Sequence, residues 1–159
     1  MEYNLPSELV KDLSFGEDAK AKVITGVNKL AQAVKSTLGA SGKCVIYEDG
    51  RGKPVITKDG VTVAESVVLY DPVENMGATL IKEAARNTVR EAGDGTTTAT
   101  VLAEALIKQI DTAVADGLTI REIKDGVNET LDSVISYLNN IAIDVEGDML
   151  KSVSAISCN

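Results

Sequence analysis

The 159-residue chain contains no histidine and no tryptophan. Without an imidazole it lacks the usual general base and any Ser-His-Asp arrangement. Catalysis would have to run on carboxylates, lysines and a metal ion. Its two cysteines, Cys44 and Cys158, lie far apart with no histidine to join them. No zinc site is expected from that set, and two reduced thiols fit a cytoplasmic protein. Aromatic residues are 3% of the chain while apolar residues are 44%, so the expected core is aliphatic. No run approaches the roughly 18 apolar residues of a membrane span, so no membrane partner is expected. The opening Met1-Glu2-Tyr3-Asn4-Leu5-Pro6 is acidic and polar, unlike a secretory leader. Basic residues are outnumbered, 16 against 24 acidic, for a net charge of -8. That speaks against nucleic acid as a partner, because a phosphate backbone needs a basic face. A bound nucleotide stays open, since glycines, one lysine and a metal suffice locally.

The densest chemical pattern is Asp94-Gly95-Thr96-Thr97-Thr98-Ala99-Thr100. It separates two apolar-periodic segments, residues 74–92 and 101–114. The Ala92-Gly93 pair ends the first segment as a glycine C-cap does, and Asp94 or Thr96 begins the second. A helix start presents about four amides without intrahelical partners and roughly half a positive charge. Glycines let the backbone approach a ligand, and threonine hydroxyls can donate to phosphate oxygens. Asp94 repels phosphate unless it holds a divalent cation that phosphate also binds. One reading is a cradle for phosphate and Mg2+. The other is a helix N-terminus capped by Asp94 and Thr96.

Taken in order, the chain starts with a mixed arm over residues 1–14. Ser14 and Glu17 have capping-box spacing. Val23, Val27, Leu30 and Val34, with Ile24 and Ala31 beside them, mark an amphipathic helix over 17–36. Thr37-Leu38-Gly39-Ala40-Ser41-Gly42 is a glycine loop, followed by a strand over 43–47. Its Gly-x-x-Gly-Lys is not a Walker P-loop, because the spacing is wrong and it follows a helix. Residues 48–53 are expected to turn a hairpin into a second strand over 54–57. Lys58-Asp59-Gly60 reads as a tight Asp-Gly turn, and 62–69 as a further strand-like run. Lys58 can bring charge to a phosphate; Asp59 can orient a water or a cation.

Pro72 near a first turn opens the next helix. Its expected buried face is Met76, Leu80, Ile81, Ala84, Ala85 and Val89, with Gly77 allowing close approach. Lys82, Glu83, Arg86, Arg90 and Glu91 are expected in solvent. The helix over 101–114 is nearly all apolar and expected to be buried on most sides. Thr119 and Glu122 form a second capping box, before a helix to about Ile141. Residues 148–154 suggest one more helical turn or two.

Asp94-Gly95-Thr96-Thr97-Thr98-Ala99-Thr100-Val101-Leu102 resembles the nucleotide-binding signature of the group I, GroEL-type chaperonins. Thr37-Leu38-Gly39 resembles that family's second phosphate loop. Ile56-Thr57-Lys58-Asp59-Gly60-Val61 resembles its Thr-Lys-Asp-Gly turn, and Glu74-Asn75-Met76-Gly77-Ala78 the helix before the signature. The likeness runs in order from about Phe15 to Asn159. One departure is Ala40, where the family usually has proline; the loop is expected to be looser there.

The resemblance implies a mainly α, multi-helical bundle like a chaperonin equatorial domain, with a small β-hairpin. It implies an N-terminal arm over 1–14, the N-terminal half of the equatorial domain over 15–141, and the start of an intermediate domain over 142–159. It implies an ATPase that assists protein folding, with ATP and Mg2+ bound. Thr37, Leu38, Gly39 and Ala40 would hold phosphate through backbone groups, and Lys58 would add charge. Asp94 would ligate Mg2+, while Gly95, Thr96, Thr97 and Thr98 would wrap the phosphates. Asp59 would position the attacking water. Full-length family members form homo-oligomeric rings; unfolded proteins and a lid cochaperonin bind through domains this chain lacks. The returning half of the equatorial domain and the family's main catalytic aspartate also lie outside it. Two competitors are a non-hydrolysing assembly or interaction fragment and, more remotely, a small phosphotransferase. With half of its partners missing, the apolar helix over 101–114 is expected to leave the chain self-associating or in need of a complementary chain.

Overall fold

A computed structural model describes residues 12–39 and 41–157. The described residues form six helices and one two-stranded sheet: α1 Gly16–Lys35, β1 Val45–Glu48, β2 Pro54–Thr57, α2 Gly60–Ser66, α3 Pro72–Ala92, α4 Thr96–Ala115, α5 Ile120–Ile141 and α6 Asp148–Ser157. The fold is mainly α with a small hairpin, as expected. Two compact units divide it, residues 1–105 and 106–159, and α4 runs from the first into the second.

In the first unit the core is aliphatic. Val27, Leu30, Ala31 and Val34 from α1 meet Val63 and Ala64 of α2 and Ala78, Ile81 and Ala85 of α3, all essentially inaccessible. α1 and α3 cross backbone to backbone. A Cβ on Gly26 would lie 1.8 Å from the Glu74 carbonyl oxygen, and one on Gly77 2.1 Å from that of Val23. Ion pairs Lys29–Glu74 at 2.5 Å and Lys22–Asp71 at 3.0 Å flank the crossing. Asp71 also caps α3, accepting from the amides of Val73 and Glu74. β1 and β2 pair antiparallel, with Ile46 opposite Ile56.

Several expectations fail locally. Ser14 and Glu17 form no capping box: the N-cap of α1 is Phe15, with no side-chain cap, so the pair is one position out of register. Residues 62–69 are not strand-like, and Lys58-Asp59-Gly60 is not a hairpin turn. Asp59 instead N-caps α2, and burial of Val63 and Ala64 overrides the strand preference of Val61, Thr62 and Val63. The buried face of α3 is rotated from the expected one, leaving Met76 and Leu80 exposed. Lys82 is buried rather than solvated. Its ammonium donates to the carbonyls of Val67 at 2.6 Å and Glu65 at 3.4 Å, closing the end of α2 where the helix leaves acceptors unpaired. Arg86 reaches the same Glu65 with two nitrogens, at 2.6 and 2.7 Å.

α4 is not buried on most sides. Its buried residues are Thr96, Thr100 and Glu104, while Leu102 and Leu106 face solvent. In the second unit the Thr119–Glu122 capping box forms in both directions. α5 buries none of its residues, and Leu131, Val134 and Leu138 are half exposed. An open groove of about 590 Å³, lined by Ile110, Ala113, Ile123, Val127 and Leu131, lies in this unit. Among the described residues no helix is long and apolar enough to cross a membrane. Of the expected 1–14 arm, residues 1–11 lie outside the described residues and 12–14 carry neither helix nor strand.

Candidate functional site

Three segments carry the expected site residues. The first joins α3 to α4. Gly93 closes α3 in the left-handed conformation (φ 76°), its amide donating to Val89. Gly95 repeats that conformation (φ 87°), and its carbonyl accepts the first helical bond of α4, from Ala99 at 2.9 Å. Two left-handed residues so close together need glycine, and they let a helix begin immediately after another ends. The amides of Thr96, Thr97 and Thr98 occupy the first turn of α4, where no intrahelical acceptor exists. Thr96 is buried, Thr97 half-buried and Thr98 exposed. Asp94 is exposed, and one carboxylate oxygen accepts the Gly95 amide at 2.6 Å.

The second segment is the link from β2 to α2. The Thr57 hydroxyl accepts the Asp59 amide at 3.0 Å. Asp59 Oδ2 takes both the amide and the hydroxyl of Thr62, at 2.8 and 2.5 Å. Its second oxygen takes no hydrogen bond among the described residues. Lys58 is exposed.

These two segments meet. Gly60, the buried first residue of α2, lies against Thr97: a Cβ there would be 2.5 Å from the Thr97 hydroxyl oxygen and 3.6 Å from its amide nitrogen. Lys58-Asp59-Gly60 and Gly95-Thr96-Thr97 thus form one seam.

The third segment, Thr37-Leu38-Gly39, closes on the end of α1. The Thr37 hydroxyl donates to the Val34 carbonyl at 2.7 Å, so its proton is committed. Gly39 is left-handed (φ 73°), Gly42 donates to its carbonyl at 2.9 Å, and Lys43 donates to Ser36 at 2.7 Å. Hydrogen bonds of this loop among the described residues run within it and to α1, none to the other two segments. Ala40 lies outside the described residues. The loop's tie to α4 is indirect, through an ion pair between Lys35 and Glu104.

Sequence reasoning named neither Lys35 nor Glu104, nor the contact role of Gly60. A trace of the pair was present, because Thr96, Thr100 and Glu104 recur every four residues along an otherwise apolar helix.

The residues fit a phosphate chain with a divalent cation. Glycine at position 60 leaves space beside a first-turn threonine that any side chain would fill. Exposed Asp94 offers a carboxylate and exposed Lys58 a cation. Among the described residues no three His, Cys, Asp or Glu side chains cluster as a metal set. A magnesium ion at Asp94 would therefore complete its shell with phosphate oxygens and water, as Mg2+ commonly does.

Fold and seam together define a mainly helical protein with a glycine-flanked threonine helix start laid against the Asp59-capped start of α2. Residues 30–159, which hold all three segments, match the family model of the TCP-1/cpn60 chaperonin family. The chain belongs to that family, whose members assist protein folding.

Proposed function

We propose that this chain is the ATP-binding part of a group I chaperonin, working in the cytoplasm. Residues 15–141 form the N-terminal half of its equatorial domain and residues 142–159 begin the intermediate domain. The observation that carries this reading is the seam of Gly60 on Thr97, which unites two phosphate-type motifs distant in sequence.

ATP is the substrate. The first-turn amides and threonine hydroxyls of α4 bind its phosphates, aided by the helix dipole. Lys58 contributes charge, and the 37–40 loop adds backbone donors beyond Thr37 and Leu38, whose amides already donate to Val34 and Lys35. Asp94 holds Mg2+, which when bound supplies neutralisation of phosphate charge. Asp59, its Oδ2 fixed by Thr62, orients a water through its other oxygen. Chemistry of this kind is positioning and electrostatics, with no covalent intermediate. In a complete subunit, hydrolysis would drive folding of client proteins within a homo-oligomeric ring, and the lid cochaperonin and clients would bind elsewhere.

The test is titration calorimetry with Mg·ADP and Mg·ATP. The native chain is expected to bind in a Mg2+-dependent way, and Asp94→Ala to abolish that dependence. Unchanged affinity would remove the metal role. Hydrolysis is assayed separately. Binding without turnover selects the second reading, a non-hydrolysing assembly fragment, which the unburied α5 favours.

A further inference from the structure

The inward face of α4 is polar. Thr96, Thr100 and Glu104 are spaced by four, which places them on one side of the helix. Glu104 is only 1% exposed. A carboxylate so buried is costly to keep charged without a partner. Its partner is Lys35, the last residue of α1, whose side chain is 39% exposed. No apolar residue of α4 is among its buried ones. Apolar packing therefore does little to seat α4 on α1, and the ion pair carries a share of its placement.

Lys35 has a second attachment. Its backbone carbonyl accepts the Leu38 amide at 3.1 Å, and the Thr37 amide donates to Val34 one residue earlier at 3.0 Å. The 37–39 loop is thus an extension of the last turn of α1. A Cβ on Gly42 would lie 2.2 Å from the Thr37 carbonyl oxygen, so the loop is also tightly closed. Lys35 holds that loop by its main chain and α4 by its side chain. Glu104 stands eight residues into α4, about 12 Å along its axis from Thr96.

Resting on the nucleotide reading above, we propose that Lys35 and Glu104 are positioning residues for phosphate binding. Their ion pair sets where the Thr37-Leu38-Gly39 loop stands relative to the Asp94–Thr98 helix start. Neither residue touches the nucleotide. A hydrophobic pair of similar volume would serve stability as well or better. What an ion pair adds is a defined register between two elements.

The test measures Kd for Mg·ADP by calorimetry on the full chain, at a temperature where circular dichroism shows each variant folded. Glu104→Gln keeps the shape and removes the charge. It is expected to weaken binding about tenfold or more, as small misplacements of positioning groups do. The double reversal Lys35→Glu with Glu104→Lys is expected to recover most of that loss. A purely structural pair would lower the melting temperature and leave the Kd of the folded chain unchanged, which overturns the inference. If Glu104→Gln does not fold, Lys35→Arg serves instead: it keeps the charge but moves the head group, and an unaltered Kd overturns the inference equally. Asp94→Ala is measured alongside. Loss of binding there with none in Glu104→Gln sinks this inference alone. No binding of Mg·ADP by the native chain sinks the nucleotide reading and this inference together, whereas equal binding by Asp94→Ala removes the metal role alone.

Discussion

Gly60→Ala tests the seam at its narrowest point. The new methyl carbon would stand 2.5 Å from the Thr97 hydroxyl oxygen, where ordinary contact begins near 3.4 Å. Either the hydroxyl or the backbone must give by about 0.9 Å. Thr97 is β-branched and its χ1 is stiff in a helix, so rotation is the cheaper but not a free escape. Gly60 is not in the left-handed region, so alanine is allowed there. Replacing glycine contributes about 0.4–1 kcal/mol by restricting the unfolded chain, while overpacking costs about 1–3 kcal/mol. Relief by Thr97 rotation leaves net stability changed by less than about 1 kcal/mol. Phosphate binding has no such compensation. Turning the Thr97 hydroxyl away removes a hydrogen bond to a charged group, about 1.5–3 kcal/mol, or roughly ten- to a hundredfold in Kd. Calorimetry with Mg·ADP, paired with urea unfolding, should show weakened binding in a chain of nearly native stability. Adding Thr97→Ala removes the obstructed oxygen, so the double variant should bind about as Thr97→Ala alone. Native affinity in Gly60→Ala would show that nothing bound relies on this seam.

At the α1–α3 crossing, Gly26→Ala and Gly77→Ala each drive a methyl into a backbone carbonyl that cannot rotate away; each should cost about 1–3 kcal/mol or more in denaturant titrations, and native-like midpoints would contradict the crossing. Acid should weaken the fold through two carboxylates held below their ordinary values of 3.8 and 4.5: Asp71, by the Lys22 hydrogen bond and the Glu74 and Val73 amides, and Glu65, by the Arg86 hydrogen bond. Depressed folded values mean that their stabilisation is present above the unfolded values and lost as pH falls through the folded ones. Melting temperature should therefore drop on acidification below about pH 4.5, and Asp71→Asn with Glu65→Gln should flatten that dependence; the effect is modest and weakened by salt because neither pair is fully buried. Finally, the half-exposed Leu131 and Leu138 of α5 should drive association, so sedimentation velocity should find species larger than the monomer, reduced by Leu131→Lys with Leu138→Lys. A native chain that sediments as a monomer at high concentration would refute that.

Some of this protein can be read from its residues alone. α1 follows from Val27, Leu30 and Val34 at helical spacing, and α5 from the Thr119–Glu122 box and the steps from Ile123 to Leu138, because these signals repeat within one or two turns. The helix junction at Gly93–Thr96 follows from glycines that tolerate positive φ, a property of the residue itself. What the residues could not announce depends on partners distant along the chain. Val61-Thr62-Val63 has the composition of a strand, yet Val63 is buried among α1 and α3 residues and Asp59 caps the turn, so the segment is helical. Lys82 reads as a solvated charge until α2 ends beside it with unpaired carbonyls. Likewise, Glu104 interrupts an apolar helix and becomes intelligible only when Lys35 lies opposite. Local propensity and capping act over a few residues and are written in sequence order. Burial and charge pairing act across space, and the tertiary structure alone decides which Gly, Lys and Glu meet.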